Sequence, residues 1–434
     1  MLSKTKVLQR ANLAIYLCLA AFLVIQAFMI YLLPENFVWQ AGDSRQYWSI
    51  ATHLLREGSY SDENESPTRM RQPGYPIFLA AVRAVAGDHI KAVQWVQALI
   101  NVCTLFLLYK LTLEMGRRST GLVTLGLSIA FAPLWAVSLA ILSESFFHFW
   151  LFLGLFLLSR AMISKPTSTL LFWGAASSLA FAALTRPIGI LLAPAIISAS
   201  LLWVGIARPE KSTKIFRRLL VTLLVFVLWL TPWAIRNYNS MGVFTPFSSE
   251  GGLPLWISSL PNWQKVWDGE MAYAITLPEW EELRGNDYPV STPADRRFQK
   301  AAIENIRGDP LGYVFRTFLK TLTAISYVHG LIEVAEKLGT IPRFAFQSGW
   351  VLLLVFNFVV LSVRRTRPIL NGPSVIIVLT ALVEIFLTTA PVATRPRHWL
   401  TVQLLIILLA SLSLSSFFRI IFAKSRSPKF ALFG

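Results

Sequence analysis

The feature that most constrains this chain is a series of apolar blocks of about 18–22 residues, the length a helix needs to cross ~30 Å of hydrocarbon. They lie near residues 12–33, 92–113, 120–140, 146–162, 168–184, 188–206, 219–235, 345–363, 373–391 and 399–418. Inside lipid a backbone must satisfy its own hydrogen bonds, so each block is read as a helix. The expected fold class is an all-α polytopic membrane protein with about 10 (range 10–13) transmembrane helices. Of the 434 residues, 55% are hydrophobic and 15% charged, which excludes a string of soluble domains. The first block is too long for a signal-peptide core and lacks a small-residue cleavage site, so it reads as a retained helix. Pro187 and Pro194 lie near the start of the sixth block and are expected to bend it. Cys18 and Cys103 both fall within apolar blocks, which leaves no disulfide framework and no CxxC metal site.

The formal charge of +17 is first a signal of topology. With the N-terminus inside, the inner loops hold Lys110, Arg117, Arg118, Arg160, Lys165, Arg208, Lys211, Lys214, Arg217, Arg218, Arg364, Arg365 and Arg367. The inner tail adds Arg419, Lys424, Arg426 and Lys429, while the short outer turns carry few basic residues. Both termini are therefore expected to be cytoplasmic, and the charge does not call for nucleic acid. Two long segments, 34–91 and 236–344, then lie outside on a single integral domain spanning 1–434. In the first, 43–57 and 75–86 place apolar residues at helical spacing beside charges, which suits helices lying on the membrane surface. The second is rich in Trp, Pro and Gly, with helical periodicity only from 295 to 326. Its Trp256, Trp263 and Trp267 suit stacking on sugars or anchoring at headgroups, and anchoring is the expected role.

Residues able to do chemistry gather at the outer ends of the blocks. Asp43 follows the first helix, in Gly42-Asp43-Ser44-Arg45-Gln46-Tyr47, where a carboxylate can serve as a general base or cap a helix. Arg69-Met70-Arg71-Gln72-Pro73-Gly74-Tyr75-Pro76 presents two guanidinium forks before a Pro-Gly turn, suited to a phosphate or carboxylate, or to snorkelling. Glu144 lies in the tight turn Leu142-Ser143-Glu144-Ser145-Phe146, at about the depth of Asp43. Two carboxylates there can share a proton, a sugar hydroxyl or a divalent cation; a solvated turn residue is the plain alternative. Arg186, Arg236, Arg395 and Arg397 line other outer ends, where the inside rule does not account for cations. Together they would make an anion site within reach of a lipid phosphate. Glu384, inside the ninth block, suggests a functional or partnered role. His329 and Glu333 share a helical spacing but lack a third metal ligand, and His53, His89 and His148 read as surface or core. No phosphate loop, HExxH, GxSxG or GxGxxG motif occurs, so neither ATP-driven nor hydride chemistry is expected.

The order and placement of these motifs resemble the GT-C membrane glycosyltransferases, nearest the family 39-like group that includes lipid A aminoarabinose transferase and protein O-mannosyltransferases. The resemblance rests on Asp43, Arg71-Gln72-Pro73-Gly74-Tyr75-Pro76, Ser143-Glu144-Ser145 and Trp233-Ala234-Ile235-Arg236-Asn237-Tyr238. The stretches 242–246 and 306–313 also look like that group, and the likeness extends over nearly the whole chain. It implies inverting transfer of a sugar from a polyprenyl-phosphate donor to a lipid, glycan or protein acceptor on the outer membrane face. It also implies a bacterial inner (plasma) membrane setting, with the site facing the periplasm or exterior and a role in cell-envelope, lipopolysaccharide or glycan modification. Carried over, Asp43 is the catalytic base and Glu144 orients the acceptor or sugar. Arg71, Arg186, Arg236 and Arg397 become candidates for binding the donor phosphate, and Arg45, Tyr47, Arg69, Tyr75 and His398 for positioning substrate. A divalent cation is compatible but not required, since the second outer turn has one acid where relatives have a pair. The chain also ends about sixteen residues after the tenth block, where some relatives add a soluble domain. A flippase for a lipid-linked sugar is the rival reading, but it calls for polar, broken helices at mid-membrane, which the apolar blocks lack apart from Glu384.

Overall fold

The computed structural model describes residues 2–33, 38–39, 42–116, 118–163, 168–207, 212–249, 251–262, 273–285, 292–326, 349–357, 359, 372–389 and 399–424. Among these residues the chain is helical, with no strand beyond one isolated bridge between Ser61 and Pro67. Among the described residues five helices are long and apolar enough to cross a membrane: Asn12–Leu32, Ile90–Met115, Glu144–Ile163, Phe216–Met241 and Leu400–Phe418. They belong to α1 (Leu2–Leu32), α4 (Ile90–Met115), α7 (Glu144–Ile163), α10 (Ser212–Met241) and α16 (Leu400–Lys424). Three further apolar helices, α8 (Thr169–Thr185), α9 (Ile188–Ala207) and α15 (Gly372–Thr389), pack among them. Pro194 lies inside α9, and most of the eighth expected block falls outside the described residues. A shared core of Leu105, Leu108, Phe147, Phe152, Leu155, Phe172, Leu179, Leu404 and Leu408 joins α4, α7, α8 and α16.

The third expected span, 120–140, is not one helix. It divides into α5 (Arg118–Ala130) and the single turn α6 (Ala132–Ala136), then runs as irregular backbone to Ser143. Freed carbonyls at this depth need donors, and the buried face of α4 supplies them. Gln94 donates to the Leu139 carbonyl at 2.5 Å, Gln97 to those of Ser138 and Ala140 at 2.9 Å, and Asn101 to that of Leu134 at 2.9 Å. From α1, Gln26 donates to the Trp135 carbonyl at 3.0 Å. Residues 94, 97 and 101 follow i, i+3, i+7 spacing, one stripe of a helix. That stripe converts a broken span into a fixed ledge ending at Glu144.

The two amphipathic stretches expected in the first outer segment form α2 (Gly42–Glu57) and α3 (Gly74–Ala86). Arg83 ties them together: it donates to the Trp48 carbonyl and Thr52 Oγ1, each at 2.9 Å, and lies 4.0 Å over the Trp48 ring. In the second segment a small lobe is built from α11 (Gly252–Ser259), α12 (Glu279–Arg284) and α13 (Thr292–Gly308), which precede α14 (Pro310–Ser326). The helical stretch expected at 295–326 is thus broken at Asp309, before Pro310. Trp256 is 1% exposed in the lobe core, packed with Trp280 and Phe298 at ring distances of 6.1 and 5.2 Å. This corrects the headgroup-anchor expectation for Trp256, whose ring is consumed by packing; Trp263 and Trp267 lie outside the described residues.

Candidate active site

Asp43 occupies the first turn of α2, where the helix dipole favours a carboxylate. Gln46 and Tyr47 follow at i+3 and i+4 and therefore share its face. Arg71, on the irregular segment before α3, meets all three. Its Nη2 donates to Asp43 Oδ1 at 2.8 Å, its Nε donates to Gln46 Oε1 at 2.9 Å, and its guanidinium lies 5.4 Å over the Tyr47 ring. Arg45 points from the other side of the helix and is exposed.

A second pair lies on the ledge. Glu144 opens α7 and is 2% exposed, and Arg186 Nη1 approaches its Oε1 at 2.6 Å. The sequence Thr185-Arg186-Pro187 sets this position, because a residue before proline is driven out of the helical region. Arg186 is extended at φ −138°, ψ 136°, which ends α8 and turns its side chain toward Ser143 and Glu144. Tyr47 joins the two pairs: its hydroxyl donates to Ser143 Oγ at 3.3 Å, and Arg186 Nη1 approaches the same oxygen at 3.5 Å. Asp43, Arg71 and Arg186 all lie within electrostatic reach of that hydroxyl. Burial raises the Tyr47 hydroxyl above its usual pKa, with Arg71 opposing, so it stays a protonated donor at neutral pH.

Tyr75 supports this arrangement from behind. Its ring meets Tyr47 edge-on at 4.9 Å, and its hydroxyl donates to Gln97 Oε1 at 2.5 Å. Through Gln97 it is coupled to the broken-span carbonyls. Gly74 explains the Pro-Gly-Tyr order: a Cβ there would stand 2.9 Å from both the Leu184 carbonyl oxygen and Thr185 Oγ1. Only glycine lets α3 approach the end of α8 this closely.

Arg69 and Arg236 are bonded to backbone carbonyls. Arg236 donates to the carbonyls of Thr68 at 2.6 Å and Tyr60 at 2.5 Å, and lies 5.2 Å over the Tyr60 ring. Arg69 donates to the Phe247 carbonyl at 3.2 Å, and Gln72 to that of Pro246 at 2.9 Å. These contacts clamp the segment carrying Arg71 between the end of α10 and residues 245–249. Arg395, Arg397 and His398 lie outside the described residues, as do His329 and Glu333. Among the described residues no three His, Cys, Asp or Glu side chains are grouped to hold a metal ion. Asp43 and Glu144 each face a guanidinium, a setting that suits an anion network better than a divalent cation.

Glu384 gains neighbours the sequence did not name. Its carboxyl is hydrogen-bonded to the Thr401 side chain and lies within electrostatic reach of Arg186. Thr401 Oγ1 also faces His148 Nε2 at 3.1 Å, so this buried chain runs beneath the Glu144–Arg186 pair. His53 pairs with Glu57 at 3.2 Å on the surface, as expected. Sequence alone assigns no role to Gln46, Ser143 or Gln97. The available signals were Asp-x-x-Gln-Tyr on one helix face and amides at 94, 97 and 101 within an apolar block.

A family model described as dolichyl-phosphate-mannose-protein mannosyltransferase matches residues 68–233, which include Arg71, Glu144 and Arg186 but not Asp43. A search of curated proteins finds no match. Among solved structures, the archaeal oligosaccharyltransferase AglB from Archaeoglobus fulgidus, in complex with an inhibitory peptide and a dolichol-phosphate, aligns over 94% of this chain and 51% of its own. The identity is 13% and the TM-score 0.54, so this chain spans about half of AglB and shares its fold. ArnT from Cupriavidus metallidurans, bound to undecaprenyl phosphate, aligns over 94% of this chain and 81% of its own, at 12% identity and a TM-score of 0.40. The family match thus covers residues 68–233, less than half of the chain, and the likeness to AglB shows a shared fold.

Proposed function

We propose that the protein is an inverting glycosyltransferase that moves a sugar from a polyprenyl-phosphate donor to a lipid, glycan or protein acceptor on the outer face of the membrane. The observation that carries this reading is the continuous chain Asp43–Arg71, Tyr47–Ser143, Arg186–Glu144, two carboxylate–guanidinium pairs held by four separate parts of the sequence. The matched family, by its description, handles a dolichyl-phosphate sugar, and AglB carries a dolichol-phosphate; both support a lipid-phosphate donor.

In the proposed reaction, Asp43 removes the proton from the acceptor nucleophile as it attacks the anomeric carbon. The bond from that carbon to the phosphate oxygen breaks, and its electron pair leaves with the lipid phosphate. Inversion requires base and leaving group on opposite faces of the sugar. Arg71, tied to Asp43, therefore first fixes the base, beyond the donor contact expected from sequence. Arg186, on the far side of Tyr47 and Ser143, is the better placed of the two for the charge developing on the phosphate, where a fixed cation favours the transition state over the ground state. Glu144 orients Arg186 and the sugar or acceptor. Arg236 positions the Arg71 segment through the carbonyls of Tyr60 and Thr68.

The test is Asp43→Asn in purified protein, assayed with a panel of polyprenyl-phosphate sugars for donor consumption and acceptor mass. Loss of a general base costs about 10²–10⁴-fold, so transfer falls to background while expression is unchanged. Full activity in that variant would refute the mechanism.

A further inference from the structure

At the end of α4 away from Gln94 and Gln97, a groove of ≈ 380 Å³ opens between α1, α4 and α5. Its polar wall is Asn12, Lys110 and Arg118, and its other wall includes Ile15, Tyr16 and Phe106. Lys110 lies about 20 Å along α4 from Gln97, so the groove belongs to the opposite membrane face from Asp43 and Glu144. Asn12 begins the apolar span of α1, which places the polar wall at the edge of the hydrocarbon.

Three observations bear on what would fit this groove. The first is charge. Arg118 bonds through Nη2 to the neutral Asn12 side chain, its buried Nε has no hydrogen-bond partner among the described residues, and Lys110 lies 5.9 Å over the Phe106 ring. The nearby carboxylate Glu114 pairs with Arg160 at 3.0 Å, and among the described residues neither Lys110 nor Arg118 forms a salt bridge of its own. The second is access. The α1 span is 22% buried against 56% for α4, and Tyr16 is 66% exposed, so the groove opens sideways to lipid. The third is the wall itself: Tyr109 is 4% exposed and packs so closely on Gly121 that a Cβ there would stand 2.6 Å from its ring. The groove is thus a built hollow with cations at the headgroup level and apolar side chains toward the bilayer.

We propose that this groove binds an anionic glycerophospholipid in the leaflet opposite the candidate active site. Its phosphate lies between Lys110 and Arg118, and its acyl chains run along Ile15, Tyr16 and Phe106. Basic pockets between transmembrane helices are suited to anionic headgroups in this way. The lipid would bridge α1 to α4 and α5 without taking part in transfer, so the proposal does not depend on the transferase reading.

The test is native mass spectrometry of the full-length protein titrated with phosphatidylglycerol or phosphatidylcholine, with inorganic phosphate as competitor. Wild type is expected to prefer phosphatidylglycerol. Lys110→Gln is expected to weaken that binding about fivefold, and Lys110→Gln with Arg118→Gln roughly thirtyfold, leaving phosphatidylcholine binding unchanged. Lys110→Gln serves as the second variant should the loss of Arg118 disturb folding, because Lys110 makes only a ring contact among the described residues. Unchanged phosphatidylglycerol binding in Lys110→Gln, an equal loss for both lipids, or displacement by phosphate would each overturn the proposal. The last outcome would identify a free-anion site.

Discussion

Replacing Gln97 by leucine tests whether the broken span is held by the buried amides of α4. Gln97 is fully buried, donates to the carbonyls of Ser138 and Ala140, and accepts from the Tyr75 hydroxyl. Leucine is close in size, so the change removes three hydrogen bonds without opening a large cavity. At about 0.6–1.5 kcal/mol for each bond, the loss is about 2–4 kcal/mol. Equilibrium unfolding in mixed micelles reads that figure. The effect should extend to activity, because the released backbone leads directly to Ser143 and Glu144; a misplacement of ~1 Å there costs up to about 10²-fold in rate. Tyr75→Phe removes one of the same bonds and should cost about 1 kcal/mol. The double variant should then cost less than the sum of the singles, since they share that bond. A Gln97→Leu protein within about 0.5 kcal/mol of wild type, the range of an inconsequential surface change, would refute the ledge as a device held by side chains.

Gly74→Ala should reduce transfer without abolishing expression, because the added Cβ forces α3 away from Leu184 and Thr185 and shifts the adjoining segment that carries Arg71; wild-type rates in this variant would show that the close approach is dispensable. Arg236→Ala should lower thermal stability and slow transfer while leaving donor KM nearly unchanged, and a selective rise in donor KM would instead make Arg236 a phosphate ligand. Lys320, bonded to Ser258 and 1% exposed, has its pKa lowered by burial from 10.5 to about 8. The unfolded chain therefore holds this proton over a window in which the folded protein does not, and stability rises with pH between about 8 and 10.5. Lys320→Met should flatten that rise, followed by the fluorescence of Trp256 and Trp280 during unfolding; an unchanged rise in the variant would rule out Lys320 as its source.

Much of this protein is legible in one dimension because lipid imposes a simple rule. A stretch that must satisfy its own backbone declares itself by length and apolarity, so α1, α4, α7 and α10 lie close to their expected positions. A short-range steric rule also acts here: Pro187, expected to bend the sixth block, follows Arg186 where α8 ends. Asp43, Arg71, Glu144 and Arg186 stood out because charge at the boundary of an apolar block is costly and calls for a partner. Their pairing did not, since Asp43 with Arg71 and Glu144 with Arg186 are chosen by three-dimensional neighbours rather than spacing. The same holds for the partners of Arg236 and Trp256, whose surroundings supply backbone carbonyls and other rings. The break at 131–143 lay hidden for a related reason. Apart from Pro133 its residues are as apolar as a helix, and the amides that satisfy its carbonyls lie some thirty to forty-five residues away, on α4. Hydropathy reports how a segment partitions between water and lipid, whereas the site depends on which polar groups meet after the helices have packed.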